Sequence, residues 1–135
     1  MISIADMIEV TLSAQDDFLK VRETLTRIGV ASKKDNTLYQ SCHILHKQGK
    51  YYITHFKELF ALDGKQTDIS ENDLARRNTI TILLEDWGLV KIVNPEKVKD
   101  NQVNLSQVKI IGFREKNDWN LVPKYQIGKK ANNNQ

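Results

Sequence analysis

Apolar and polar residues alternate with period two at Ile8-Glu9-Val10-Thr11-Leu12, which predicts a half-buried strand. From Phe18 the spacing changes to three and four, through Val21, Leu25 and Ile28, which predicts a helix with one buried stripe. Ser13 to Asp16 supplies an S-x-x-D start for it, and Gly29 is placed to end it. Leu38 to Phe56 is the stretch the rest must cover: two strands rich in aromatic and β-branched residues, folded back at Gln48-Gly49. A two-residue loop there pairs Lys47 with Lys50, His46 with Tyr51, Leu45 with Tyr52, Ile44 with Ile53, His43 with Thr54 and Cys42 with His55. Neither face of this ribbon is cleanly polar, and a lone hairpin is not stable in water, so both faces need at least partial cover.

Between helix and hairpin, Val30 to Thr37 is expected as a loop made basic by Lys33 and Lys34. Lys57 to Leu62 allows one or two helical turns, stopped by Asp63-Gly64. Ser70 opens a long helix to Trp87, with Gly88 as its stop and Ile80, Leu83, Leu84 and Trp87 on its buried face. This helix is the best candidate to pack on the hairpin. Leu89 to Val93 follows as a strand, Asn94-Pro95 turns, and Glu96 to Gln107 is a polar connection. Two further strands are expected at Val108 to Arg114 and Trp119 to Tyr125, with Pro123 at a sheet edge. The whole predicts an α+β fold: one small domain, its helical core packed against antiparallel β-sheet regions.

Composition narrows the class. A chain of 135 residues buries enough surface to fold without a staple, and the single cysteine, Cys42, excludes an intramolecular disulfide. Absence of a signal-peptide pattern or a long apolar run points to a cytosolic protein that does not span a membrane. The formal charge of +3 is unevenly spread. Lys20 to Lys34 carries five cations (Lys20, Arg22, Arg27, Lys33, Lys34) against Glu23, and Lys109 to Lys130 is also basic, whereas Glu58 to Asp86 is acidic. If folding joins the basic segments, they form a polyanion-binding face; otherwise they are scattered solvated charge.

Candidate chemistry follows from this. Lys20, Thr24 and Arg27 recur at i, i+4 and i+7, which predicts a solvent-facing row of two cations and a hydroxyl suited to phosphate and sugar. Such a row is equally a plain solvated face. Near the C-terminus Phe113 and Trp119 are interleaved with Lys109, Arg114, Lys116 and Lys124, a pattern that can stack unpaired bases while cations hold the backbone. Here Trp87 is expected in the core and Phe113 exposed. Catalysis finds little support, since no Gly-rich phosphate loop or nucleophile elbow occurs. A metal site built on Cys42, His55 and His46 lacks an evident fourth ligand, so no metal or other cofactor is expected.

DFLKVRETLTRIGVA (Asp17 to Ala31), LYQSCHIL (Leu38 to Leu45), YYITHFKE (Tyr51 to Glu58), LLEDWGLV (Leu83 to Val90) and LVPKY (Leu121 to Tyr125) closely resemble the RegA translational repressors of T-even-type bacteriophages. The resemblance runs in register from Met7 to about Gly128, so residues 1–6 read as an N-terminal extension, 7–128 as the RNA-binding domain and 129–135 as a polar disordered tail. It implies a non-enzymatic repressor that binds the single-stranded, AU-rich initiation regions of early phage mRNAs, including its own, and competes with the ribosome. It also implies a protein that can self-associate as a homodimer, without a small-molecule substrate, in the cytoplasm of the infected bacterial host. For RNA binding it points to Lys20 and Thr24 on the first helix, Arg76, Lys97 in the loop after the fourth strand, and Phe113. Arg27 and Lys116 join these as neighbouring cations. The family's basic residues before the first helix are replaced here by Ser13 and Ala14. The alternative is a winged-helix DNA-binding regulator, with Ser70 to Trp87 as recognition helix; its acidic end, Glu85-Asp86, opposes entry into a phosphate-lined groove.

Overall fold

A computed structural model of the chain describes residues 6–14, 17–36, 42–99, 105–115 and 118–120. In chain order the elements are β1 (Ile8–Leu12), α1 (Asp17–Arg27), β2 (Ile28–Ser32), β3 (Cys42–Lys47), β4 (Lys50–His55), α2 (Phe56–Leu62), α3 (Glu71–Asp86), β5 (Val90–Ile92), α4 (Pro95–Lys99), a 3-10 turn (Leu105–Gln107), β6 (Val108–Glu115) and β7 (Asp118–Asn120). Two antiparallel sheets result, one ordered β3-β4-β1-β5 and one ordered β2-β6-β7. This is the expected small α+β domain.

The hairpin has the register its turn dictates: Cys42 to Lys47 pair with His55 to Lys50 in the six expected couples. Gln48 (φ 53°) and Gly49 (φ 77°) both take the left-handed conformation, the type I′ pattern whose twist matches the strands. Tyr52, Ile53, Thr54 and His55 are buried in succession, so both faces of β4 are covered. The expected packing helix, α3, lies against β4 and β5. Its Ser70 hydroxyl accepts from the Asp73 amide (3.1 Å) while the Asp73 carboxylate accepts from the Ser70 amide (3.0 Å), closing a capping box. Trp87 and Leu83 lie in the core, and Gly88 (φ 79°) ends the helix.

Three local expectations are corrected: the end of α1, the loop expected from Val30, and the polar connection after β5. Gly29 does not end α1; the helix stops at Arg27, and Ile28–Ser32 is a strand paired with β6, with a bulge between Gly29 and Val30. The wholly buried Ile28, Gly29, Val30 and Ala31 lacked the alternation that marks a half-buried strand. The Asp17 carboxylate accepts from the Ala14 amide (3.0 Å) at the entry to α1, while Asp16, the other half of the expected S-x-x-D start, lies outside the described residues. Pro95–Lys99 is a short helix rather than polar connection, with proline at its first position, where no amide is needed. Residues 38–41 and 121–125, which were expected to extend β3 and β7, lie outside the described residues.

Candidate nucleic-acid interface

Helix α1 exists because Asp17, Val21, Leu25 and the following Ile28 bury one stripe, and that stripe fixes what its flanks present. On one flank stand Lys20 and Arg27. Lys20 Nζ lies 3.7 Å from Asp17 and Arg27 3.6 Å from Glu23, with the two cationic side chains 56% and 48% exposed. Ion pairs this long, with the cation about half exposed, are worth about 0–1 kcal/mol, so Arg27 can exchange Glu23 for a phosphate at little cost, and Lys20 can do so while the largely buried Asp17 keeps the Ala14 amide. Thr24 departs from the expectation of a solvent-facing row: it is only 5% exposed. It sits between the cations at the edge of the buried stripe. Counting i, i+4 and i+7 aligned the three residues, but whether the row faces water depends on what packs beside it.

The two basic segments do meet. Strand β2 carries the first segment onto β6, pairing Ala31 with Lys109, and the Lys33 amide donates to the Gln107 carbonyl (2.9 Å). Exposed Lys33 and Lys34 follow directly on β2. Arg76 on α3 is half-buried, as is Lys97, and α4, which carries Lys97, packs against α3. Lys97 is thus on a helix, not in a loop, and follows the fifth strand because β2 adds one to the count. The Phe113 backbone lies opposite Ile28 on one side and Asn120 on the other. Its side chain, and Lys116 altogether, lie outside the described part of the structure.

Elsewhere the charges are committed inward. Glu58 is fully buried, and its carboxylate accepts from Arg77 Nη1 (2.8 Å) and from the His55 amide (2.8 Å). Arg77 also donates to Asn78 Oδ1 (3.0 and 2.9 Å) and to the Asp6 carbonyl (3.3 Å). Lys57 Nζ donates to Asp73 (2.8 Å), and the His55 ring lies 3.9 Å from the same carboxylate. Burial alone would raise the Asp73 carboxyl; Lys57 and the two Ser70 groups outweigh it and bring it down to about 2. Burial raises Glu58 above the ordinary carboxylate range, against the opposing pull of Arg77 and the His55 amide. Cys42 faces His55 across the hairpin, yet burial pushes its thiol up to about 12. Among the described residues no group of three or more His, Cys, Asp or Glu is placed to hold a metal ion.

On its other flank α1 packs against β3, one of the two outer strands of its sheet among the described residues. Phe18 lies against Tyr51 (5.7 Å) and His46 (6.2 Å), and His46 stacks on Tyr51 at 4.4 Å and 14°. One helical turn on, a cavity of about 230 Å³ opens between the two elements, lined by Arg22, Leu25, Thr26, Cys42, His43 and Ile44.

Residues 7–128 match the model of the bacteriophage translational regulator family. The chain belongs to that family. The translation repressor proteins of Enterobacteria phages T4 and T6 are each 54% identical to it over 124 residues, covering 90% of this chain and 99% of theirs. That of Escherichia phage RB69 is 53% identical over 123 residues, with the same coverage. For this family member, reading the sequence missed the α1–β3 seam. Its signals were present, in Phe18 and Arg22 one turn apart and in His43 and His46 along one strand, but nothing local says that α1 lies beside β3. Nor did the adjacent Arg76 and Arg77 announce that the second is buried against Glu58.

Proposed function

We propose that this protein is a translational repressor that binds single-stranded, AU-rich initiation regions of early phage mRNAs, its own among them, and excludes the ribosome by occupying the same site. Membership of the translational regulator family across residues 7–128 is the observation that carries the reading. Occupancy alone suffices for repression, so no reaction step is required of any residue. Residues 7–128 act as the functional unit in the host cytoplasm, as a monomer or a homodimer, with 1–6 and 129–135 as additions. Lys20, Arg27 and Lys116 serve as point charges on phosphates, joined by Arg76 on α3 and Lys97 on α4. Thr24, nearly buried between Lys20 and Arg27, holds that rim of α1 in place. Phe113 stacks on an unpaired base, so Phe113→Ala costs about 1–3 kcal/mol in RNA binding and little in folding. A stability loss of about 3–5 kcal/mol would instead identify a core phenylalanine.

The deciding experiment is a gel-shift comparison of AU-rich single-stranded RNA with duplex DNA across a salt series. The RNA is expected to bind more tightly, with log K falling by about 0.7 per phosphate neutralised for each tenfold rise in salt. Equal or tighter binding to the duplex would establish the winged-helix regulator instead. That outcome is disfavoured by α3, which carries Glu71, Glu85 and Asp86 and buries Arg77.

A further inference from the structure

We propose that Glu23 is a base-reading residue of α1: its carboxylate accepts a hydrogen bond from the amino group of an unstacked adenine, whose ring lies on Leu19 while Lys20 and Arg27 hold the neighbouring phosphates. This rests on the RNA-binding reading above and adds to it the residue that lets the helix tell one base from another. Two features of α1 carry it. Leu19 is 64% exposed, more than Phe60 (44%) or Val93 (40%), the other exposed large apolar side chains among the described residues. Glu23, itself 58% exposed, places a negative charge on the flank that carries Lys20 and Arg27. Leu19 and Glu23 are one helical turn apart and so are neighbours on the outer surface. Around the axis Glu23 has Leu19 about 40° to one side, and Arg27 about 40° and Lys20 about 60° to the other.

The surroundings decide what this carboxylate does. As a support for the helix the Glu23–Arg27 pair contributes little, being long and half in solvent. Once Arg27 turns to a phosphate, Glu23 loses that partner, and a carboxylate has only acceptor oxygens to offer. Phosphate gives it no proton. Adenine N6 presents two N–H donors, on an edge that a single strand leaves open. Uracil has one N–H, set between two carbonyl oxygens that repel a carboxylate. A ribose 2′-hydroxyl also donates, but every nucleotide carries one, so it creates no preference among bases. In AU-rich RNA the adenine amino group is therefore the donor that discriminates. Glu23 acts in both directions: it gains a hydrogen bond where adenine lies against it, and it repels any register that brings a phosphate there. Leu19 offers the ring apolar surface that water covers in the free protein. Lys20 and Arg27 are seven residues apart, about 10 Å along the axis, which leaves room for a base between their phosphates.

The test uses the full chain and AU-rich single-stranded RNA in which purine riboside, adenosine without its amino group, replaces one adenine at a time. Wild-type protein is expected to bind about tenfold more weakly when one position in particular is changed, and nearly as before when the others are. Glu23→Ala, at an exposed position, keeps the wild-type thermal unfolding, binds the unmodified RNA about tenfold more weakly and shows no further loss at that position. Its affinity for uridine-only RNA stays level or rises, because a repelling charge has gone. Leu19→Ala weakens the unmodified RNA by about fivefold with the salt slope unchanged. Lys20→Ala flattens the slope but keeps the purine riboside penalty. A full penalty retained by Glu23→Ala, or no penalty at any position for the wild type, would overturn adenine reading by Glu23 and leave the repressor reading standing. So would an equal loss by Glu23→Ala on uridine-only RNA, by showing a contact that every nucleotide shares. Wild-type affinity in Leu19→Ala would overturn the ring contact. Failure of the wild type to bind any single-stranded RNA would overturn the repressor reading and this inference together.

Discussion

The junction of α2 with α3 and the outer flank of α1 use the same residue types in opposite ways. At the junction, Arg77 and Lys57 each meet a carboxylate at 2.8 Å, and both capping boxes are closed by side chains of the same cluster. On α1, Lys20 and Arg27 reach their carboxylates only at 3.7 and 3.6 Å, with both cationic side chains about half exposed. Short charge pairs, with Arg77 and Glu58 buried and Lys57 only partly exposed, hold two helices and a hairpin end in one arrangement. Long pairs with a half-exposed cation contribute little to the fold, which leaves those cations able to meet an external polyanion. A positive residue count along the chain therefore overstates the binding surface. Position in the fold divides the cations into structural and available ones.

The largest effect that separates the two regions is expected from Arg77→Ala. Removing one partner of a buried pair strands the Glu58 carboxylate and should destabilise the protein by about 3–5 kcal/mol. Replacing both partners, as Arg77→Met with Glu58→Leu, should restore much of that loss; urea unfolding of the two single variants and the double measures the coupling. If Arg77→Ala unfolds like wild type, the cluster is not what fastens α2 to α3.

A smaller effect distinguishes the same cluster by pH. The Asp73 carboxyl has its ordinary value of 3.8 in the unfolded chain and about 2 in the folded one, so its stabilisation is present above about pH 4 and lost as the pH falls towards 2. Asp73→Asn should remove this contribution, about 2 kcal/mol at most. The gap between wild type and Asp73→Asn in unfolding midpoint should therefore narrow over that window; a constant gap would show that Asp73 is not held ionised by Lys57 and Ser70.

On α1 the effects move from folding to binding. Lys20→Ala should change stability by less than about 0.5 kcal/mol and weaken all single-stranded RNAs alike. Its salt slope should drop by about one phosphate's worth. An unchanged slope would return Lys20 to plain solvated charge. Thr24→Val should do least of all. It keeps the shape of a side chain that is 5% exposed, so RNA affinity should fall only slightly and the salt slope should stay as it is. A loss as large as that of Lys20→Ala would show that the Thr24 hydroxyl reaches the RNA itself.

The sequence by itself determined the features whose causes are local. The β3–β4 register follows from two turn residues and a strict period of two, and the start of α3 follows from Ser70 and Asp73, three residues apart. Trp87 was legible as core because its helix repeats apolar residues on one face. Tertiary structure alone decided the rest. Ile28–Ser32 becomes a strand only because β6, about eighty residues later, supplies its hydrogen bonds, whereas locally Gly29 looks like a helix stop. Thr24 is buried although its helical spacing puts it in line with two exposed cations, and Arg77, next to the candidate Arg76, is committed to Glu58, nineteen residues away in sequence. The α1–β3 cavity exists only where those two elements meet. Short-range conformational preferences are written in adjacent residues, but burial and pairing across the chain depend on which surfaces come together, and no local period encodes that.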